Sequence, residues 1–132
     1  MAEEEKTYVQ VGKIKVGGYI LIDDFPCQIK SVEKSKPGKH GSTKARMVAI
    51  GVFDNVKRNL LKPTSADAEV PWIQRKKGVA VAVMAENVQI IDEKTFETFD
   101  APKPKDLTVT QGHKVEYLQY GNMIKLVRSF KE

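Results

Sequence analysis

Cysteine is nearly absent. A single thiol, Cys27, stands in 132 residues, so no disulfide can form within the chain, and a reducing compartment fits. Histidine is scarce too. His40 and His113 are far apart, and with one cysteine they leave too few ligands for a structural zinc, which takes four. Long hydrophobic runs are missing: the longest, Val79 to Ala85, has seven residues, and a membrane-crossing helix needs roughly 20. The opening MAEEEK is acidic and polar, unlike a signal or transit peptide. These absences lead us to expect a soluble cytoplasmic protein with no membrane partner. Helical periodicity is also hard to find anywhere along the chain.

What is present is a globular composition, with 41% hydrophobic and 30% charged residues. The net charge is +5, from 22 basic and 17 acidic residues. It is not spread evenly. Lys34 to Arg46, KSKPGKHGSTKAR, holds five Lys or Arg and no acid, so the remainder sums to zero, 17 basic against 17 acidic. A concentrated positive patch points to a polyanionic partner, most often nucleic acid.

Strand signals fill the space that helices leave. Tyr19 to Ile22 follows the turn pair Gly17-Gly18 and ends at Asp23-Asp24. Phe25 to Lys34 and Thr43 to Phe53 read as two extended runs joined by a Gly-containing loop, a β-hairpin whose basic tip projects and whose apolar base is packed. Val56 to Lys62 is a further strand candidate. Pro63 to Pro71 reads as a loop leading to a domain boundary near Pro71, and Trp72 beyond it as a core residue. In the second half, Val79 to Val83 alternates valine and alanine, as in a strand covered on both faces. Val88 to Ile91 returns, Thr95 to Phe99 is extended, and APKPKD (101–106) is irregular. His113 to Tyr120 and Met123 to Phe130 form a hairpin across Gly121-Asn122. The expected fold is all-β, two small barrels: residues 1–71 and residues 72–132. About five strands in the second half suit a barrel of the OB type. Its Tyr117, Tyr120 and Phe130, beside Lys114, Lys125 and Arg128, are candidates for stacking on nucleic acid, with core packing the competing role.

Within the basic stretch, Lys39 lies between Gly38 and Gly41 with His40 beside it, and Pro37 stiffens the approach. Glycines admit tight reversals and do not crowd a neighbour. Three readings of Lys36 to Gly41 compete. It is a hairpin turn with solubilising lysines. It is a phosphate-binding loop, since Gly38-Lys39-His40-Gly41 matches the GXXG loop that clamps nucleic acid, although that loop joins helices. Or Lys39 is itself the substrate of another enzyme. A Schiff-base role for Lys39 is disfavoured, because such lysines sit in desolvated pockets.

SKPGKHGSTKAR closely resembles the lysine-modification loop of the archaeal and eukaryotic translation initiation factor 5A family, related to bacterial elongation factor P. Phe25-Pro26-Cys27-Gln28-Ile29 resembles its approach strand and Met47 to Phe53 its return strand. The resemblance implies an SH3-like barrel followed by an OB-fold. It implies that Lys39 receives an aminobutyl group from spermidine through deoxyhypusine synthase, and in eukaryotes becomes hypusine. It further implies a monomeric factor, not an enzyme and without a cofactor of its own. Such a factor enters the ribosome near the exit site, among rRNA and beside peptidyl-tRNA, and promotes peptide-bond formation at proline runs. Lys36, Pro37, Gly38, His40 and Gly41 would form the modification loop, and Lys34, Lys44 and Arg46 would contact RNA. Pro37 and Ser42-Thr43 depart from the eukaryotic pattern of threonine and His-Ala, so the form looks archaeal.

Overall fold

The computed structural model of the chain describes residues 5–35 and 43–131. The chain divides into two compact units, with Trp72 closing the first and Ile73 opening the second.

The first unit holds six strands: β1 (Lys6–Gln10), β2 (Tyr19–Ile22), β3 (Phe25–Ser35), β4 (Lys44–Gly51), β5 (Lys57–Pro63) and β6 (Asp67–Pro71). Four of them form an antiparallel sheet in the order β2-β3-β4-β5, while β1 and β6 pair separately. A one-turn 3-10 helix, Val11–Lys13, follows β1. The core follows from period-2 alternation. Ala45, Met47 and Ala49 on β4 face inward, against Ile29, Cys27, Ile20, Ile22 and Val11. The tight reversal between β2 and β3 uses Asp23 and Asp24, both at positive φ, a conformation that Asp tolerates better than most residues.

The second unit holds β7 (Gln74–Val83), β8 (Asn87–Asp92), β9 (Thr98–Pro102), β10 (Lys114–Tyr120) and β11 (Met123–Phe130). They run in the order β11-β10-β7-β8-β9, and β11 lies against β9, so the sheet curls nearly shut. The all-β expectation and the two small barrels hold. Apart from the 3-10 turn, the described residues contain no helix, and none is long and apolar enough to cross a membrane.

Several details differ from the sequence reading. The first strand is β1, and it is almost wholly exposed. Its order comes from backbone pairing with β6, which leaves little hydrophobic alternation to read. The segment expected as a loop up to Pro71 therefore contains a strand, anchored by the buried Ala68. Trp72 is not core: it is 58% exposed, held by its backbone N–H donating to Glu5 O. Val81 is 37% exposed, so β7 is not covered on both faces; the small residues Gly78 and Ala80 point inward. A Cβ on Gly78 would lie 2.5 Å from Ile91 O, which explains the glycine at that inward position.

Thr95 to Phe99 is not one strand. Asp92 folds it into a turn by accepting from the Lys94 and Thr95 N–H groups at 2.8 and 2.9 Å, and Phe96 takes positive φ. β9 begins only at Thr98 and runs into the proline stretch as far as Pro102. It is an edge strand, where proline's missing donor is tolerated.

Asp92 ties that turn to the core. It is 5% exposed, and the hydroxyl of the buried Tyr117 donates to its Oδ2. Burial alone would raise the Asp92 carboxyl, but the Tyr117 hydroxyl and the two backbone donors hold it below the usual carboxylate range. Burial and the same carboxylate push the Tyr117 phenol well above its ordinary value. Tyr117 also packs edge-on against Phe99, centroids 5.2 Å apart.

A depressed Asp92 adds stability above the ordinary carboxylate pKa of about 4, and loses it as pH falls through the folded value. A raised Tyr117 adds stability below about pH 10 and loses it as pH rises further. Tyr117→Phe is expected to cost about 1–3 kcal/mol at neutral pH and to weaken both pH dependences. Urea unfolding across pH measures this, and equal curves for the two proteins would contradict the assignment.

Candidate functional site

The two runs flanking the basic loop form an antiparallel hairpin. β3 and β4 pair from Cys27 with Gly51 out to Ser35 with Lys44, with one irregularity between Ile29 and Ser31. Strands therefore flank the loop on both sides, not the helices of a KH-type GXXG clamp. Lys36, Pro37, Gly38, Lys39, His40 and Gly41 lie outside the described residues.

Residues directly opposite in an antiparallel pair share a face. Lys44 lies opposite Ser35 and Arg46 opposite Glu33, on the outer face of the sheet, while the alternate residues Ala45 and Met47 are buried. Lys34 lies opposite Ala45, on the other face. Its Nζ donates to Gly12 O at 2.9 Å. The three flanking cations that the sequence groups together are thus divided. Lys44 and Arg46 form an exposed outer pair, and Lys34 ties β3 to the 3-10 turn.

That tie belongs to a brace that sequence reading missed. Thr64, just past β5, donates its N–H to Thr43 O at 2.9 Å and its hydroxyl to the same oxygen at 3.2 Å. The Gly12 N–H donates to Thr64 O at 2.9 Å, and the Val11 N–H to Ala66 O at 2.9 Å. Gly12 packs closely here: a Cβ would sit 3.3 Å from both Thr64 Cβ and Thr64 O, a tight contact. Thr43 and Lys34 are therefore both fixed at the root of the loop. The clue in the sequence was slight: a threonine after a proline, and a glycine 52 positions upstream.

The opposite end of the hairpin is locked by a polar cluster. Arg58 on β5 grips Asp54 with two hydrogen bonds, at 2.8 and 3.1 Å, and stacks 4.3 Å over the Phe25 ring. The hydrogen bond from Arg58 holds the Asp54 carboxyl below its usual range. A Cβ on Gly51 would fall 1.8 Å from Asp54 Oδ1, so this arrangement requires glycine. Cys27 lies inside, fully buried, with Arg58 Nη1 4.0 Å from its sulfur. Burial pushes its thiol up, which removes it as a nucleophile. No group of His, Cys, Asp and Glu among the described residues could hold a metal ion.

In the second unit Tyr117 and Tyr120 are buried and unavailable for stacking. Phe130 is half-buried, with the Arg128 guanidinium 5.1 Å from its ring.

Comparison with known proteins follows the same division. Residues 5–66 match the family model described as translation initiation factor 5A-like, N-terminal. The translation initiation factor 5A of Methanocaldococcus jannaschii is 46% identical over 121 residues, covering 91% of this chain and 92% of the relative. That of Pyrococcus horikoshii is 44% identical over 130 residues, covering 94% of each. Among solved structures, eukaryotic translation initiation factor 5A from Methanococcus jannaschii superposes with a TM-score of 0.86 at 44% identity, over 95% of both chains. A translation initiation factor eif-5a family protein from Naegleria fowleri gives 0.73 at 28% identity, over 94% of this chain and 97% of that one.

The brace predicts that Thr64→Val, which keeps the shape and removes the hydroxyl, lowers stability by about 0.5–1.5 kcal/mol. Amide hydrogen exchange should quicken at Gly12 and Thr64. Unchanged exchange there would show that the hydroxyl contributes nothing to the root.

Proposed function

This chain belongs to the translation initiation factor 5A family, and from that premise we propose that its working group is the Lys39 side chain, lengthened by an aminobutyl group that a deoxyhypusine synthase transfers from spermidine. The observation that carries the reading is the β3–β4 hairpin. Its strands pair up to Ser35 and Lys44, so residues 36–43 connect the two arms and Lys39 lies near the middle of that connection. From Cys27 to Ser35 the arm extends on the order of 25 Å at the usual strand rise. A loop carried at the end of paired strands of that length, supported along β4 by β5 and braced at Thr43 and Lys34, suits delivery of one amine into a deep RNA cavity.

The factor then works on the ribosome near the exit site, beside peptidyl-tRNA. The reacting centre belongs to the ribosome, so the factor supplies no acid or base of its own. Its contribution is position. A longer side chain with a second amine would hold the tRNA end in a productive geometry, and orientation alone is worth several kcal/mol. Proline runs, whose peptidyl-tRNA is awkwardly placed, would benefit most. Lys44 and Arg46 face outward on the arm, where they can meet phosphates and set its register. Lys34, bound to Gly12 O, holds the arm instead.

Intact mass of protein from its native host is expected to exceed the sequence mass by one aminobutyl group, with or without an oxygen, located on Lys39. Lys39→Arg keeps the charge but cannot accept that group. It is expected to leave the thermal unfolding curve unchanged and to abolish stimulation of proline-run translation. A fully active native protein without the added mass would sink the modification.

Ribosome affinity is expected to fall with salt, because phosphate contacts release counterions. Arg46→Ala should lower the log–log salt slope by about one. Lys34→Ala should change it less and reduce stability instead. The reverse order, read by titration at several salt concentrations, would mean that Lys34 faces the RNA.

A further inference from the structure

Four hydrogen bonds at the root of the basic loop join end to end and close a circuit. The outgoing arm enters it at Lys34, whose Nζ donates to Gly12 O at 2.9 Å. The Gly12 N–H donates to Thr64 O at 2.9 Å. Thr64 then donates its N–H and its hydroxyl to Thr43 O, at 2.9 and 3.2 Å. Thr43 leads into Lys44 on the returning arm, and the pairing of Lys34 with Ala45 completes the path. The two arms are therefore tied twice, directly by strand pairing and indirectly through Gly12 and Thr64.

Burial does not account for these contacts. Lys34 and Lys44 are exposed, and Thr43 and Thr64 are only half-buried. The β4–β5 register ends at Lys44 with Pro63, so the Thr64 N–H extends that ladder by one bond. The hydroxyl then adds a second donor to a carbonyl oxygen that is already satisfied. A carbonyl oxygen has room for two donors, and two fix its direction more closely than one. The close packing of Gly12 on Thr64 holds the threonine in place to do so. A loop end that is not held must be ordered when a partner engages it, and that cost is taken from binding.

We propose that Thr64 is a positioning residue for the aminobutyl transfer: by holding Thr43 O, it orders the returning end of the Lys39 loop before the modifying enzyme engages it. This rests on the modification of Lys39 proposed above. In that transfer the bond from Lys39 Nζ to the aminobutyl unit forms as that unit's bond to the diaminopropane nitrogen of spermidine breaks. The Lys39 proton leaves with that amine, and the hydride that NAD takes up is returned, so there is no net oxidation. Thr64 enters none of these steps. It lowers the cost of engaging the loop, so its removal moves KM and leaves kcat.

The test uses the recombinant full-length chain, an archaeal deoxyhypusine synthase, NAD and radiolabelled spermidine, with initial rates read against the concentration of the chain. Thr64→Val is expected to raise KM about five- to thirtyfold at unchanged kcat, the cost of ordering roughly one more residue. Thr64→Ser, which returns the hydroxyl, should restore the parental KM. Tyr117→Phe controls for stability: it loosens the second unit, and its KM should equal the parent's. Nitrogen-relaxation order parameters at Thr43 and Lys44 should fall in Thr64→Val and not in Thr64→Ser. A parental KM in Thr64→Val, or an equal rise in Tyr117→Phe, would overturn the proposal. So would a raised KM with unchanged order parameters, which would mean that the hydroxyl touches the enzyme itself. A parental chain that takes up no label would instead sink the modification, and this inference with it.

Discussion

The hydrogen bonds at Thr43 O are the constraint on which the first unit's arm depends. A two-stranded hairpin is marginal alone in water. Here β3 and β4 are the middle strands of a four-stranded sheet, with a shared core below, so the lower arm is held on both edges. Beyond Ala45 that core ends. Thr64 then reaches Thr43 O twice, and Lys34 reaches Gly12 O, which stiffens the arm where burial no longer does.

The second unit solves a related problem with a buried carboxylate. Asp92 would be costly in a core if it were unpaired. Three donors converge on it, and in return it fixes a six-residue turn, Asp92 to Glu97, against Tyr117. The satisfied polar group specifies the shape of a surface loop. In both units, then, a few polar contacts to main-chain atoms decide what is displayed outward, while the apolar residues decide only that the strands fold together.

Charge is distributed according to the same logic. Arg58 and Asp54 neutralise each other at the lower end of the hairpin. Arg75 and Arg128 share Glu116 on the second unit. Among the described residues, Lys44 and Arg46 on the hairpin and Lys77 and Lys94 in the second unit are exposed cations. Under the proposed function, such surfaces would meet the ribosome, which is mostly polyanion.

The sequence by itself determined the all-β character, the hairpin around the basic loop, the Gly121-Asn122 turn and the second-unit strand count, because alternation and turn residues act locally. The loop's composition was specific enough for the family to be legible in it. The tertiary structure alone decided that Lys34 faces away from Lys44 and Arg46, because strand register sets the face, and register is a pairing between distant segments. It alone decided that Asp67–Pro71 pairs with Lys6–Gln10, that Trp72 is exposed and that Thr64 braces Thr43. It also turned Thr95 and Phe96 out of a strand, since the carboxylate that captures their backbone is held from 25 residues away by the Tyr117 hydroxyl. Local pattern records what each segment prefers, and only packing reveals which distant donor a buried acceptor finds.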